Sequence, residues 1–149
     1  MSKMVFRETR LDELKPGDFK LFGKTLSDTD AMLYAGISGE MSPLYLNESF
    51  AQATELKSRT VHPMLVAAIA GGAIFRLLTP AVKTESREFR FLLPVYAGDT
   101  VTARAEVGEV DAANRRVIVN VSCYNQQEEK VMEGICREIL VFPKEESEG

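Results

Sequence analysis

Histidine and cysteine are scarce in this chain, and their scarcity restricts the chemistry that it can carry. The 149 residues contain one histidine, His62, and two cysteines, Cys123 and Cys136. The spacing of the cysteines matches no metal motif, and both fall on segments that alternate like strands, which favours buried free thiols. We therefore expect no metal site.

An excess of positive charge and a membrane-spanning segment are also missing. The formal net charge is −4, which argues against a general nucleic-acid binder. The uninterrupted apolar part of the most hydrophobic segment, residues 64–75, is shorter than the roughly 18 residues that a transmembrane helix needs. Residues 1–19 carry charges throughout and lack the apolar core of a signal peptide. We expect a cytoplasmic protein that binds neither nucleic acid nor membrane.

The sequence shows no internal repeat, linker or low-complexity segment, and its length is that of one domain. We predict a single domain over residues 1–149, in which 144–149 form a frayed, solvated tail.

Residues 61–78 are the most hydrophobic segment, and we predict that they form a central helix. The segment is apolar on every helical face except at Arg76, so we expect the protein to bury it. Pro63 suits the first turn of a helix, where its missing N–H is not needed. Gly71 and Gly72 weaken a helix, and we expect them to let another backbone pack closely.

The residues before this helix predict a strand and two shorter helices. Residues 19–26 read as a strand, and a capping box at 27–30 begins a helix over about 28–35. A second short helix is expected over 48–54. Three apolar side chains near the first helix are expected to face inward: Met32, Leu33 and Ile37.

The residues after the central helix alternate between apolar and polar side chains, as strands do. The alternation predicts strands over 85–95, 100–110, 117–123 and 131–142, joined by short turns. Such an antiparallel sheet has an apolar face that must be covered, and the central helix is the obvious cover. The fold class is therefore α+β, with a long helix against a curved sheet.

A series of short motifs links the sequence to a known family. They lie at residues 38–45 (Ser-Gly-Glu-Met-Ser-Pro-Leu-Tyr), 50–51 (Phe-Ala), 61–65 (Val-His-Pro-Met-Leu), 89–95 (Phe-Arg-Phe-Leu-Leu-Pro-Val) and 98–101 (Gly-Asp-Thr-Val). In type and order they resemble the motifs of the MaoC-like dehydratases and (R)-specific enoyl-CoA hydratases. This resemblance implies the hotdog fold, a curved antiparallel sheet wrapped around a long central helix.

The resemblance also implies a function in fatty acid metabolism. The family adds water to the double bond of an enoyl thioester or removes it again, so the expected lyase substrate is an acyl-CoA or acyl-carrier thioester. No cofactor is implied beyond the CoA or carrier of the substrate. A homodimer or higher homo-oligomer is implied, with two sheets joined edge to edge and each site near the subunit boundary.

The positions that carry the family's chemistry differ in this chain. Glu40 stands at the position of the catalytic aspartate, Tyr45 at that of the catalytic histidine, and Ser42 where asparagine is usual. Pro63 replaces the glycine whose N–H helps to hold the thioester carbonyl, and Met64 follows it in the substrate-binding motif. Tyrosine titrates near pH 10, so Tyr45 is expected to donate a proton or hold a water rather than act as a base.

His62, as the one imidazole of the chain, is a further catalytic candidate. If Glu40 and His62 approach each other, they form an acid–base pair displaced from the family's usual position. Lys57 and Arg59 precede the central helix and are candidates for contacts to the phosphates of a CoA carrier.

Three functions remain open from the sequence alone. The first is an enoyl-CoA hydratase or dehydratase with atypical residues. The second is a non-catalytic binder of acyl thioesters or a partner subunit, and the third is a hotdog acyl-CoA thioesterase with Glu40 as the base.

Overall fold

A computed structural model describes residues 7–143 and contains one antiparallel sheet. The predicted tail at 144–149 lies outside the described residues. The strands are β1 (Phe19–Thr25), β2 (Val82–Phe91), β3 (Thr100–Asp111), β4 (Arg116–Tyr124) and β5 (Lys130–Leu140), in the sheet order β1-β3-β4-β5-β2. Strands β1 and β2 are therefore the two edges of the sheet.

Four helices accompany the sheet. They are α1 (Asp28–Ser38), α2 (Pro43–Leu46), α3 (Glu48–Gln52) and α4 (Pro63–Leu77). The longest, α4, packs mainly against β1 and β3, and this is the predicted central helix. Among residues 7–143, none of the helices combines the length and the hydrophobicity that spanning a lipid bilayer requires.

The predicted alternation of β3 and β4 is confirmed. Inward-facing positions of β3 and β4 are small or β-branched and almost wholly buried, because α4 lies over them: Val101, Ala103, Ala105, Val107, Val117, Val119, Val121 and Cys123. Strand β2 begins and ends earlier than predicted. Its first residues pair with the end of β5. Leu92, which was predicted to belong to the strand, lies just after its end and donates its N–H to the Val131 carbonyl.

Helix α4 buries one broad face, although it is apolar nearly all round. Met64 and Phe75 remain 45% and 46% exposed. The sequence predicted that Gly71 and Gly72 let another backbone pack closely. This prediction is wrong, because side chains approach the two glycines instead. A Cβ on Gly72 would lie 2.4 Å from a ring carbon of Phe22, and one on Gly71 would lie 3.1 Å from the Arg87 guanidinium.

Helix α1 contradicts the prediction of its inward face. Met32, Leu33 and Ile37 are exposed, and the buried residues of the helix are Ala31 and Ala35. The small alanines let α1 lie close to the rest of the fold, and the longer apolar side chains then point away. The capping box is present, and the helix ends at Gly39 in a left-handed conformation with φ of 76°, which glycine adopts without strain.

Strand β5 places a carboxyl group in the core. Glu138 is fully buried; its Oε1 accepts a hydrogen bond from Arg87 Nε at 2.7 Å, and its Oε2 accepts one from the Thr84 hydroxyl at 2.8 Å. Both oxygens are satisfied, which is the condition under which a protein tolerates a buried carboxylate.

Candidate active site

The start of α4 positions His62 and uses the free N–H groups of the first helical turn. His62 is the N-cap, and its Nδ1 accepts a hydrogen bond from the Met64 N–H at 3.0 Å. The Leu65 N–H donates to the His62 carbonyl at 2.9 Å, and Pro63 has no N–H. The first turn therefore presents no unused N–H at Pro63, Met64 or Leu65.

The turn after α1 brings Glu40 to His62. Gly39 ends the helix, and the Glu40 N–H donates to the Ser38 hydroxyl at 3.1 Å, which fixes the backbone. Glu40 Oε2 lies 3.0 Å from His62 Nε2 and accepts a hydrogen bond from the Tyr34 hydroxyl at 2.7 Å. The approach of Glu40 to His62, which the sequence left as a condition, is present in the structure.

The hydrogen bond at Nδ1 determines the form of the imidazole. Because the Met64 N–H points at Nδ1, that nitrogen carries no proton, and the proton of neutral His62 is on Nε2, beside Glu40. His62 in this state has no free lone pair facing Glu40. It holds the carboxylate but does not accept a proton from it or from a water between them.

Two tyrosines enclose the imidazole. The Tyr34 ring stacks on His62 with centroids 4.6 Å apart and planes at 25°. Tyr45 meets the same ring edge-on, at 5.2 Å and 62°. Tyr45 belongs to α2, whose N-cap Ser42 accepts a hydrogen bond from the Leu44 N–H. Ser42 therefore positions α2 through its hydroxyl.

The surroundings shift the pKa values of three of these groups. The pKa of Glu40 is lowered, chiefly by the Tyr34 hydrogen bond and further by the contact with His62, so Glu40 is ionised at neutral pH. Burial raises the pKa of Tyr45, and the nearby Glu40 charge adds to this effect. Tyr34 has its pKa raised by burial and by its bond to Glu40. Both phenols stay protonated and can donate hydrogen bonds.

Residues of α2 and of the start of α4 line an apolar cavity of about 170 Å³. Tyr45 and Pro63 line it together with aliphatic and aromatic side chains: Leu44, Leu56, Val61, Val66, Phe91, Leu93 and Val131. Thr60 also lines the cavity. The mainly apolar walls suit a short apolar group, and Tyr45 joins the cavity to the polar cluster, because its ring packs on His62.

The two basic candidates lie before α4 in different situations. The Arg59 guanidinium is already paired with Asp28 at 2.8 Å and with Glu48 at 3.2 Å. Lys57 is exposed and makes no ion pair with any residue between 7 and 143. Of the two, only Lys57 has a charge that is available to a phosphate.

The sequence did not single out Tyr34, which bonds to Glu40 and stacks on His62. It lies on α1, six positions before Glu40, and nothing in the local pattern distinguishes it from a packing tyrosine. The contact arises because the left-handed cap at Gly39 turns the chain back, so that a side chain of the last α1 turns meets the residue after the cap.

Cys123 and Cys136 are buried free thiols, as predicted. Burial raises the pKa of Cys123 to about 12 and that of Cys136 to about 11, so neither is a reactive thiolate. Within the described part of the chain, no group of histidine, cysteine and acidic side chains is arranged to hold a metal ion.

Comparison with known proteins relates this site and fold to one family. A model of the MaoC-like domain matches residues 17–130. The chain is 33% identical over 113 residues to an (R)-specific enoyl-CoA hydratase of Rhodospirillum rubrum, covering 75% of this chain and 78% of the relative. It is 29% identical over 136 residues to a 3-hydroxybutyryl-CoA dehydratase of Methylorubrum extorquens, covering 91% and 85%.

A solved structure agrees with these sequence matches. The (R)-hydratase of A. caviae involved in PHA biosynthesis has a TM-score of 0.83 to this chain at 25% identity, covering 87% of this chain and 98% of that one. The predicted hotdog fold is confirmed by this likeness and by the five-stranded antiparallel sheet with its long helix. The chain belongs to the MaoC-like domain family.

Proposed function

We propose that the protein is an (R)-specific enoyl-CoA hydratase, or the corresponding 3-hydroxyacyl-CoA dehydratase, and that Glu40 is its acid–base group. The observation that carries the proposal is the ionised Glu40 carboxylate held by Tyr34 and His62, in a cluster that reaches an apolar cavity through Tyr45. The relatives from Rhodospirillum rubrum and Methylorubrum extorquens bear the names of this reaction in its two directions.

In the proposed hydration, Glu40 takes a proton from a water molecule while the water oxygen bonds to C3 of the enoyl thioester. The electron pair of the C2=C3 double bond moves toward the thioester and forms an enolate. Glu40 then returns the proton to C2, where the enolate electron pair forms the new C–H bond. Water has been added, the carboxylate is regenerated, and no cofactor is consumed.

His62 is a positioning residue in this scheme. Its Nδ1 is tied to the Met64 N–H and its Nε2 faces Glu40 Oε2, so it orients the carboxylate and does not shuttle the proton. This differs from the acid–base pair that the sequence suggested, because the helix start fixes the tautomer of the imidazole.

The apolar cavity is the proposed place of the acyl chain. At about 170 Å³ it is smaller than the roughly 300–1,000 Å³ of typical drug-sized ligand pockets, which favours a short chain. We expect crotonyl-CoA to be turned over more efficiently than octenoyl-CoA. Lys57 is the proposed contact for a phosphate of the carrier.

Loss of enoyl absorbance on mixing the protein with crotonyl-CoA tests the proposal. Formation of (R)-3-hydroxybutyryl-CoA is the expected result. If the protein binds the thioester but shows no turnover at high protein concentration, the enzyme proposal is wrong and the protein is a binder of acyl thioesters. Release of free thiol instead would indicate a thioesterase.

One observation favours the non-catalytic binder as a second candidate. A hydratase must stabilise negative charge on the thioester oxygen, and the first turn of α4 has no free N–H for that purpose, since Pro63 has none and the next two are used. A binder needs the cavity but not this donor.

We further propose that two copies associate through the β2 edge. This edge strand has no partner on its outer side within residues 7–143, and exposed apolar side chains lie at its end: Phe91, Leu92 and Leu93. Phe91 and Leu93 also line the cavity, which would place each site near the subunit boundary. The buried free thiols fit a reducing compartment, and we propose the cytoplasm.

A further inference from the structure

The start of α4, from Pro63 to Leu65, has no free N–H that could donate a hydrogen bond to the thioester oxygen. In the proposed reaction, negative charge moves onto that oxygen, and a hydrogen-bond donor aimed at it lowers the barrier. Helix starts commonly supply such donors through their free N–H groups. At α4 the Met64 N–H is bonded to His62 Nδ1 and the Leu65 N–H to the His62 carbonyl, while Pro63 has none.

Two hydroxyl side chains, Tyr45 and Thr60, line the cavity together with Pro63. Of these, Tyr45 also packs edge-on against His62, the N-cap of α4. In contrast, the Tyr34 hydroxyl is committed to Glu40. The half-buried Tyr45 makes no hydrogen bond through its hydroxyl to any other residue in the part of the chain that the structure describes.

The protonation state of Tyr45 suits a donor. Burial and the Glu40 charge both raise its pKa above the ordinary value of 10.0, so the hydroxyl keeps its proton throughout the neutral range. A tyrosine hydroxyl is among the side chains that stabilise an oxyanion. The same shift makes Tyr45 a poor base, which agrees with the assignment of proton transfer to Glu40.

We propose that the Tyr45 hydroxyl donates a hydrogen bond to the carbonyl oxygen of the acyl thioester and replaces the backbone N–H that Pro63 lacks. The proposal rests on the function proposed above for the substrate class. It assigns Tyr45 a role in binding and polarising the carbonyl, distinct from the handling of water and protons by Glu40.

The first test uses Tyr45→Phe, with Tyr124→Phe as the matched control. Tyr124 ends β4 and does not line the cavity, so its loss of a hydroxyl should leave turnover of crotonyl-CoA unchanged. Tyr45→Phe should lower kcat by about 10²-fold, the effect of removing one oxyanion donor. The melting temperatures of both variants should match that of the original protein, because the packing ring is retained.

A spectroscopic readout separates a donor from a structural residue. A hydrogen bond to the carbonyl of a conjugated enoyl thioester, such as cinnamoyl-CoA, shifts its absorbance to longer wavelength. We expect this shift on binding to the original protein and its loss with Tyr45→Phe. Equal shifts in the two proteins, or a kcat of Tyr45→Phe within twofold of the original, would overturn the proposal.

Pro63→Gly provides the rescue experiment. It restores an N–H at the first position of α4, where helical N–H groups have no partner within the helix. In the Tyr45→Phe background, Pro63→Gly should recover at least tenfold in kcat and part of the absorbance shift. A double variant no better than Tyr45→Phe in either readout would count against the shared role of the two groups.

The outcomes also distinguish this inference from the proposed function. If the original protein shifts the absorbance of the bound thioester but does not hydrate crotonyl-CoA, and Tyr45→Phe abolishes the shift, the donor role stands and the hydratase does not. If hydration occurs and neither readout depends on Tyr45, the hydratase stands and the donor role falls. A protein with neither turnover nor shift refutes both.

Discussion

Glu40 has two oxygens in different surroundings, and this difference determines its proposed chemistry. Oε2 is held by the Tyr34 hydroxyl and by His62, whereas Oε1 has no polar partner among residues 7–143. One oxygen is therefore fixed, and the other is available to accept a proton. The side chain of Glu40 is 53% exposed while that of His62 is 16% exposed, so the carboxylate reaches from an enclosed ring toward solvent.

Tyr34→Phe is expected to move the acid limb of the pH profile. The Tyr34 hydrogen bond is the largest cause that lowers the pKa of Glu40. The proposed base works only when ionised, so kcat/KM rises as pH rises through this pKa. Removing the hydroxyl raises the pKa, and the acid limb of kcat/KM should shift to higher pH. An acid limb that stays in place would show that Tyr34 does not tune the working base.

The site was predictable from the sequence only in part. The family motifs identified Glu40, Tyr45 and Pro63 as departures, and the single imidazole made His62 a candidate. The role of Tyr34 could not be predicted from the sequence, because its contact with Glu40 depends on how tightly the chain turns at Gly39. The tautomer of His62 could not be predicted either, since it follows from one hydrogen bond that the Met64 N–H donates to Nδ1.

At the scale of elements, the close packing of α4 on β1 can be tested at the paired glycines. Gly72→Ala gains about 1 kcal/mol of helix propensity but forces Phe22 to move, and overpacking of this kind costs about 1–3 kcal/mol. We expect a net loss of stability in chemical denaturation. Gly71→Ala is the control, since a guanidinium end can shift by a few tenths of an ångström; it keeps the gain of about 1 kcal/mol in helix propensity and should not lose stability.

The pairing of β2 with β5 depends on the buried ion pair. Arg87→Met leaves the Glu138 carboxylate buried without its cation, and breaking such a pair costs about 3 kcal/mol or more. Denaturant titration should show this loss of unfolding free energy. The double variant Arg87→Met/Glu138→Leu should recover most of it, because no buried charge remains; a double variant as unstable as the single one would contradict this account.

Secondary structure followed from local pattern wherever one face of an element is buried. The alternation of residues 100–110 and 117–123 predicted both the strands and their buried side chains, because the sheet has a single apolar face under α4. The orientation of α1 did not follow. Its apolar residues occur on more than one face, and the choice of Ala31 and Ala35 for the contact depends on a close approach that local sequence does not encode.

For the molecule as a whole, we expect a dimer that forms through the β2 edge. Sedimentation at micromolar concentration should give a mass twice the 16.6 kDa of the chain. Leu92 and Leu21 are exposed leucines at the two opposite edges of the sheet, which makes them a matched pair. Leu92→Lys should weaken association, and Leu21→Lys should not. A monomer at this concentration, or equal effects of the two variants, would rule out this interface.

The central claim is that Glu40 performs the proton transfers of a hydratase, and kcat of Glu40→Gln on crotonyl-CoA tests it most directly. Glutamine keeps the shape of the side chain and removes the base, and general acid–base catalysis contributes about 10²–10⁴-fold to the rate. We predict a fall in kcat of at least about 10²-fold with the melting temperature preserved. A Glu40→Gln variant that hydrates crotonyl-CoA at a rate close to that of the original protein would contradict the account.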